Sequence, residues 1–128
     1  GIRDYKVTGV QTCALPILLQ AAVPGMALNG PPLDDPAVRL PNNLNVRMPG
    51  VDGQTLLAVL SGEGLAVSSG SACSSETPRP SHVLLAIGLG DDEARASLRF
   101  GLSRFTTADE VDRAATVVAA GVSRLRAV

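Results

Sequence analysis

Cys73 lies in the run Ser68-Ser69-Gly70-Ser71-Ala72-Cys73-Ser74-Ser75, where no neighbour has the bulk to hold a thiol in a core. A nucleophilic cysteine needs thiolate character, supplied by a cation, a base or a helix N-terminus. Arg79, His82 and a helix starting after Ser81 lie close enough in sequence to supply it. The plainer reading of a lone cysteine is a small hydrophobe in a turn. Arg99 is the second residue with chemical reach. It stands mid-strand between Leu98 and Phe100, with Ser97 and Gly101 on its own side. Small neighbours leave a guanidinium room to grip a carboxylate with two parallel bonds, although an ordinary solvent-facing arginine fits the same pattern. His82 is the sole imidazole and a possible proton carrier, but the first residue of a short helix is commonly a surface position. Asn42, Asn43 and Asn45 suit turns and bonds to nearby backbone. No His, Cys, Asp and Glu set has metal-ligand spacing, and no glycine-rich phosphate loop is present.

The elements that must position these residues follow from periodicity and punctuation. Residues 18–27 read as helix or linker, and Leu28 to Pro36 as turn chemistry with prolines that forbid regular helix. Leu40 to Met48 alternates as a strand with Leu44 and Val46 on one face. Asp52 to Leu60 is a helix with Leu56, Leu57 and Leu60 together, stopped by Gly62 and Gly64. Leu65 to Ser68 is expected to be a short strand that delivers the cysteine loop. Ser81 caps a helix over Val83 to Ile87, closed by Gly88. Asp91 to Arg95 is one more helical turn. Ala96 to Ser103 is a strand with Ala96, Leu98, Phe100 and Leu102 facing one way. Thr107-Ala108-Asp109-Glu110 forms a capping box for a helix to about Arg126, with Val111, Ala115, Val118, Val122 and Leu125 inward. The class is α/β, with a short mixed or antiparallel sheet packed by helices.

Composition divides the chain at Leu18. Residues 18–128 hold nine arginines, eleven carboxylates and no lysine or tyrosine, while residues 1–17 hold the sole lysine, Lys6, and the sole tyrosine, Tyr5. Back-translated, Val7 to Ile17 resembles a sequencing-library adapter read in frame, with Tyr5-Lys6 in the place of its index. Residues 1–17 are therefore expected to be foreign and are set aside from fold reasoning, and Cys13 is set aside with them. Residues 18–128 then form one small domain with a single cysteine, which fits a reducing compartment. Their slightly acidic balance lacks a basic stripe, and Phe100 and Phe105 are their only aromatics, which argues against direct nucleic-acid binding. No apolar run approaches the roughly 20 residues of a membrane span.

Through Leu40–Asn45, Pro49–Gly53, Val67–Ser75, Pro80–Leu89 and Ala94–Glu110, the chain resembles the C-terminal end of cysteine desulfurases. These are pyridoxal-phosphate enzymes of aminotransferase class V. The resemblance implies the small C-terminal domain of a fold-type I enzyme that converts L-cysteine to L-alanine. Sulfur would be held as a persulfide on Cys73, and Arg99 would hold the substrate carboxylate. It also implies pyridoxal 5'-phosphate as cofactor, no metal, a homodimer, a cytoplasmic location, and a sulfur acceptor or scaffold protein in iron–sulfur cluster assembly or tRNA thiolation. His82 and Asn42 would be minor site residues. Gly101-Leu102-Ser103-Arg104-Phe105 exchanges the small residues of the family's Ser-Leu-Gly-Arg-Phe, and Glu76 replaces a small residue in the loop. The cofactor needs a Schiff-base lysine, so this chain alone is expected to be inactive. Two other readings stay open: a cofactor-free sulfur carrier that accepts persulfide, and a fragment of a selenocysteine lyase-like enzyme.

Overall fold

In the computed structural model, residues 14–35, 37–40, 42–69 and 79–128 are described. The elements are helix α1 (14–22), strands β1 (Ala27–Leu28) and β2 (Asn43–Arg47), helices α2 (Gly53–Gly62), α3 (His82–Ala86) and α4 (Asp91–Arg95), strand β3 (Ser97–Gly101) and helix α5 (Ala108–Arg126). The three strands form one antiparallel sheet in the order β1-β2-β3.

The register follows from the apolar alternation. Leu44 pairs with Phe100 and Val46 with Leu98, and all four are buried, because every second side chain of a strand points to the same face. Against that face lie Leu56 and Leu60 of α2, Val111, Ala115, Val118 and Val122 of α5, and Leu15 and Leu19 of α1. Helices α2 and α5 meet closely at Gly121, where an added Cβ would sit 3.2 Å from Leu56 Cδ1.

The helix starts use side-chain caps. Asp52 Oδ2 accepts from the Thr55 N–H at 2.8 Å, Ser81 Oγ from the Leu84 N–H at 3.4 Å, and Thr107 Oγ1 from the Glu110 N–H at 3.1 Å. Each satisfies a backbone donor that the first helical turn leaves open. Gly53 is required by a close approach: its Cβ would lie 2.3 Å from the Arg95 carbonyl oxygen. Gly64 ends the α2 turn at φ +80, a conformation that favours glycine.

Three expectations are corrected. Leu65 to Ser68 is not a strand; its pairing is a single antiparallel bridge from Ser68 to Arg99, since Leu65 is still tied by its N–H to the Leu60 carbonyl of the preceding helix. Leu28 belongs to a strand rather than a turn, because Ala27 and Leu28 pair with Arg47 and Val46. The second strand begins at Asn43, leaving Leu40 outside the sheet and exposed. Helix α1 runs through residue 17 with Leu15 buried, so the backbone does not mark the compositional break at Leu18.

Candidate active site

The face of the sheet away from the core is polar. Asn43, Asn45 and Arg47 of β2 stand opposite Gly101, Arg99 and Ser97 of β3. Arg99 is exposed at its centre, and a Cβ on neighbouring Gly101 would meet nothing within 4 Å. Space is therefore open over Gly101 on that side. On the other side it is absent: Ser97 is fully buried, bonded by its hydroxyl to the Glu93 carbonyl at 2.8 Å.

Strand β3 also holds the entrance to the cysteine loop. The Arg99 N–H donates to the Ser68 carbonyl at 2.6 Å, and the Ser68 N–H returns to the Arg99 carbonyl at 3.1 Å. Gln54 Nε2 donates to Ser69 Oγ at 2.9 Å, tying the next residue to the first turn of α2. The exit is fixed nearby. Ser69, Arg79, Pro80 and Ser81 line one hollow together with Asp52 and Arg95, so the segment leaves and returns at the same place. Cys73 and Glu76 lie outside the described residues.

His82 is the first residue of α3, directly after the Ser81 cap, and is exposed. Asn42 lies at the other end of the β2–β3 ladder, where its carbonyl accepts from the Leu102 N–H at 2.8 Å. By strand parity Asn42 falls on the side of Leu44, not the side of Arg99. The geometry thus joins Arg99 to the entrance of the loop and His82 to its exit, and leaves Asn42 in a backbone role. Arg104 stacks over the Phe105 ring at 4.8 Å.

Two polar groups, one buried and one half-buried, were not anticipated. Asn29, just beyond β1, is 3% exposed. Its Nδ2 donates to Asn45 Oδ1 at 2.7 Å and to Ser97 Oγ at 2.9 Å, and its Oδ1 accepts from Arg47 Nη1 at 2.8 Å. Arg47 Nε in turn lies 3.7 Å from Glu93 Oε1. Arg39 reaches the carbonyls of Pro31 at 2.6 Å and Asn29 at 3.4 Å, and burial pulls its guanidinium below the ordinary value. In the sequence Asn29 looked like a turn residue; only the β1–β2 register reveals its burial.

Among the described residues no helix is long and apolar enough to cross a membrane, and no group of three or more His, Cys, Asp and Glu could hold a metal ion.

The aminotransferase class-V family model matches residues 15–114. The chain is 49% identical over 88 residues to the cysteine desulfurase IscS of Aeromonas salmonicida, covering 69% of this chain and 21% of that protein. It is 45% identical over 91 residues to cysteine desulfurase IscS 1 of Archaeoglobus fulgidus, covering 71% and 24%. Among solved structures, a NifS-like protein superposes with a TM-score of 0.74 at 26% identity, over 94% of this chain and 28% of that one. A NifS-like protein from Rickettsia africae gives 0.71 at 25% identity, over 97% and 29%. The chain spans about a quarter of the length of the curated relatives it matches.

Proposed function

The chain belongs to the aminotransferase class-V family, and on that premise we propose that residues 18–128 are the C-terminal part of a cysteine desulfurase. The observation that carries the reading is the bridge between Ser68 and Arg99. It ties the start of the cysteine loop to the strand that carries the exposed Arg99. In this reading Arg99 grips the carboxylate of L-cysteine with its planar fork, and Cys73 holds the transferred sulfur as a persulfide for an acceptor or scaffold protein. His82, at the exit of the loop, serves as a secondary proton carrier, and Asn42 holds the end of the ladder. A homodimer, a cytoplasmic location and service to iron–sulfur clusters or tRNA thiolation belong to the same proposal. So does the boundary at Leu18, for which composition speaks while the continuous helix α1 is neutral.

Pyridoxal 5'-phosphate does not fit residues 18–128 by themselves. A Schiff base needs a lysine amine, and residues 18–128 have none. Such a group, with its electron sink, would come from elsewhere in a full-length enzyme, and the 128-residue chain is inactive by itself.

The test is a full-length enzyme in which residues 18–128 replace the matching segment of the Aeromonas salmonicida desulfurase. It is expected to release alanine from L-cysteine and carry persulfide on Cys73, with Cys73→Ala abolishing the persulfide. A folded, cofactor-loaded hybrid that releases no alanine would sink the proposal. A second reading, a sulfur carrier, needs only the Cys73 thiol. That reading gains if an intact desulfurase loads persulfide onto Cys73 of the 128-residue chain added in trans.

A further inference from the structure

The hydrogen bonds around Asn29 have forced directions. Arg47 can only donate, so the Asn29 atom facing its Nη1 at 2.8 Å is Oδ1. Asn29 Nδ2 therefore points to Ser97 Oγ and to the Asn45 side chain. A donor requires an acceptor, so the Asn45 atom 2.7 Å away is Oδ1. Ser97, accepting from Asn29, passes its own proton to the Glu93 carbonyl at 2.8 Å. One arginine thus fixes the orientation of two amides and a hydroxyl.

The residue paired with Asn45 across the strands is Arg99. The Asn45 carbonyl accepts from the Asn29 N–H, while the Arg99 N–H and carbonyl both bond Ser68. Asn45 and Arg99 are therefore a non-hydrogen-bonded antiparallel pair, the type in which opposed side chains stand closest. An amide oxygen beside a guanidinium is a natural acceptor for it. Here that oxygen is committed to Asn29, and among the described residues no hydrogen bond joins Asn45 to Arg99.

We propose that Asn29 is a positioning residue for carboxylate recognition: by holding the Asn45 oxygen on the β1 side, it keeps the Arg99 guanidinium available to the substrate. The inference rests on the reading of Arg99 as the carboxylate grip. Arg99 itself touches the substrate; Asn29 acts through Asn45.

The first test follows the Arg99 Nε–Hε resonance in the 128-residue chain by NMR. Asn29→Asp keeps an acceptor for Arg47 but loses the donor to Asn45, which frees the Asn45 oxygen. The Arg99 resonance is expected to move downfield, and to stay in place when Asn45→Ala is added. Asn45→Asp keeps the bond from Asn29 and brings a second oxygen beside Arg99. It is expected to give the same movement, and it decides the matter if Asn29→Asp does not fold. An unmoved resonance in Asn45→Asp, or a movement in Asn29→Asp that survives Asn45→Ala, overturns the inference.

The second test measures kinetics in the full-length hybrid enzyme. Asn29→Asp is expected to raise KM for L-cysteine about tenfold with kcat within about twofold, the signature of lost ground-state binding. A role in folding alone would lower the active fraction and leave KM in place, which would overturn the inference. Arg99→Lys separates the two levels. If it leaves KM unchanged, the carboxylate reading of Arg99 fails; if it raises KM while Asn29→Asp does not, only the role of Asn29 fails.

Discussion

The two faces of the sheet are built from alternate residues of the same strands, yet they hold together by different physics. On one, Leu44, Val46 and Leu98 are 0% exposed and Phe100 is 4% exposed, and non-directional burial against α1, α2 and α5 supplies the stability. On the other, Arg47, Asn29, Asn45, Ser97 and the Glu93 carbonyl form a chain of directed bonds. The apolar face tolerates a change of shape at a graded cost. The polar face is all or nothing, since a buried donor without its acceptor costs the whole desolvation of that group.

The comparison can be broken hardest from the apolar side. Leu98→Ala opens a cavity in the core and is expected to cost about 2–5 kcal/mol in chemical unfolding. A loss below about 1 kcal/mol would show that the face is not the core. Asn29→Leu removes both the donor and the acceptor at the centre of the polar face. It leaves Arg47 Nη1, Asn45 Oδ1 and Ser97 Oγ short of a partner, at an expected cost of about 1–3 kcal/mol. Loss of the α2 cap in Asp52→Ala should cost about 1 kcal/mol by the same measurement. At the bottom of the scale stands Gly101→Ala, which adds a methyl group to open space at the edge of the polar face and should shift stability by less than about 0.5 kcal/mol. If Gly101→Ala matched Asn29→Leu, the division of labour between the faces would fail.

The same division explains what the sequence discloses. Alternation in Leu44-Asn45-Val46 and in Leu98-Arg99-Phe100 announces both strands and their inward faces, because burial acts on side chains one at a time. The caps at Ser81 and Thr107 are equally local and were readable for that reason. Asn29 was not. Followed by Gly30 and Pro31 it has the chemistry of a turn, and its burial depends on Asn45, Arg47 and Ser97, which are up to 68 residues away. The short β1 was missed similarly, and the strand expected over Leu65 to Ser68 is only a one-residue bridge at Ser68, since pairing at both comes from the neighbouring strand and not from any pattern of their own. Of the site, the exposure of Arg99 and the helix-start position of His82 were legible. The buried side of Ser97 was not, because a small residue can mark either open space or a tight seam.

Arg126 gives this arrangement a consequence in time. From the last turn of α5 it donates to the Pro24 carbonyl at 2.8 Å and to the Pro49 carbonyl at 2.6 Å, closing loops of 102 and 77 residues. Strand β3 likewise reaches back to β2. Contacts this distant in sequence form slowly, because the entropy of closing the loops is lost before burial rewards it. During synthesis α1, β1, β2 and α2 emerge as a half-core with its apolar faces uncovered. They find their cover only when β3 and α5 arrive, and until then their exposed apolar surface is prone to aggregation.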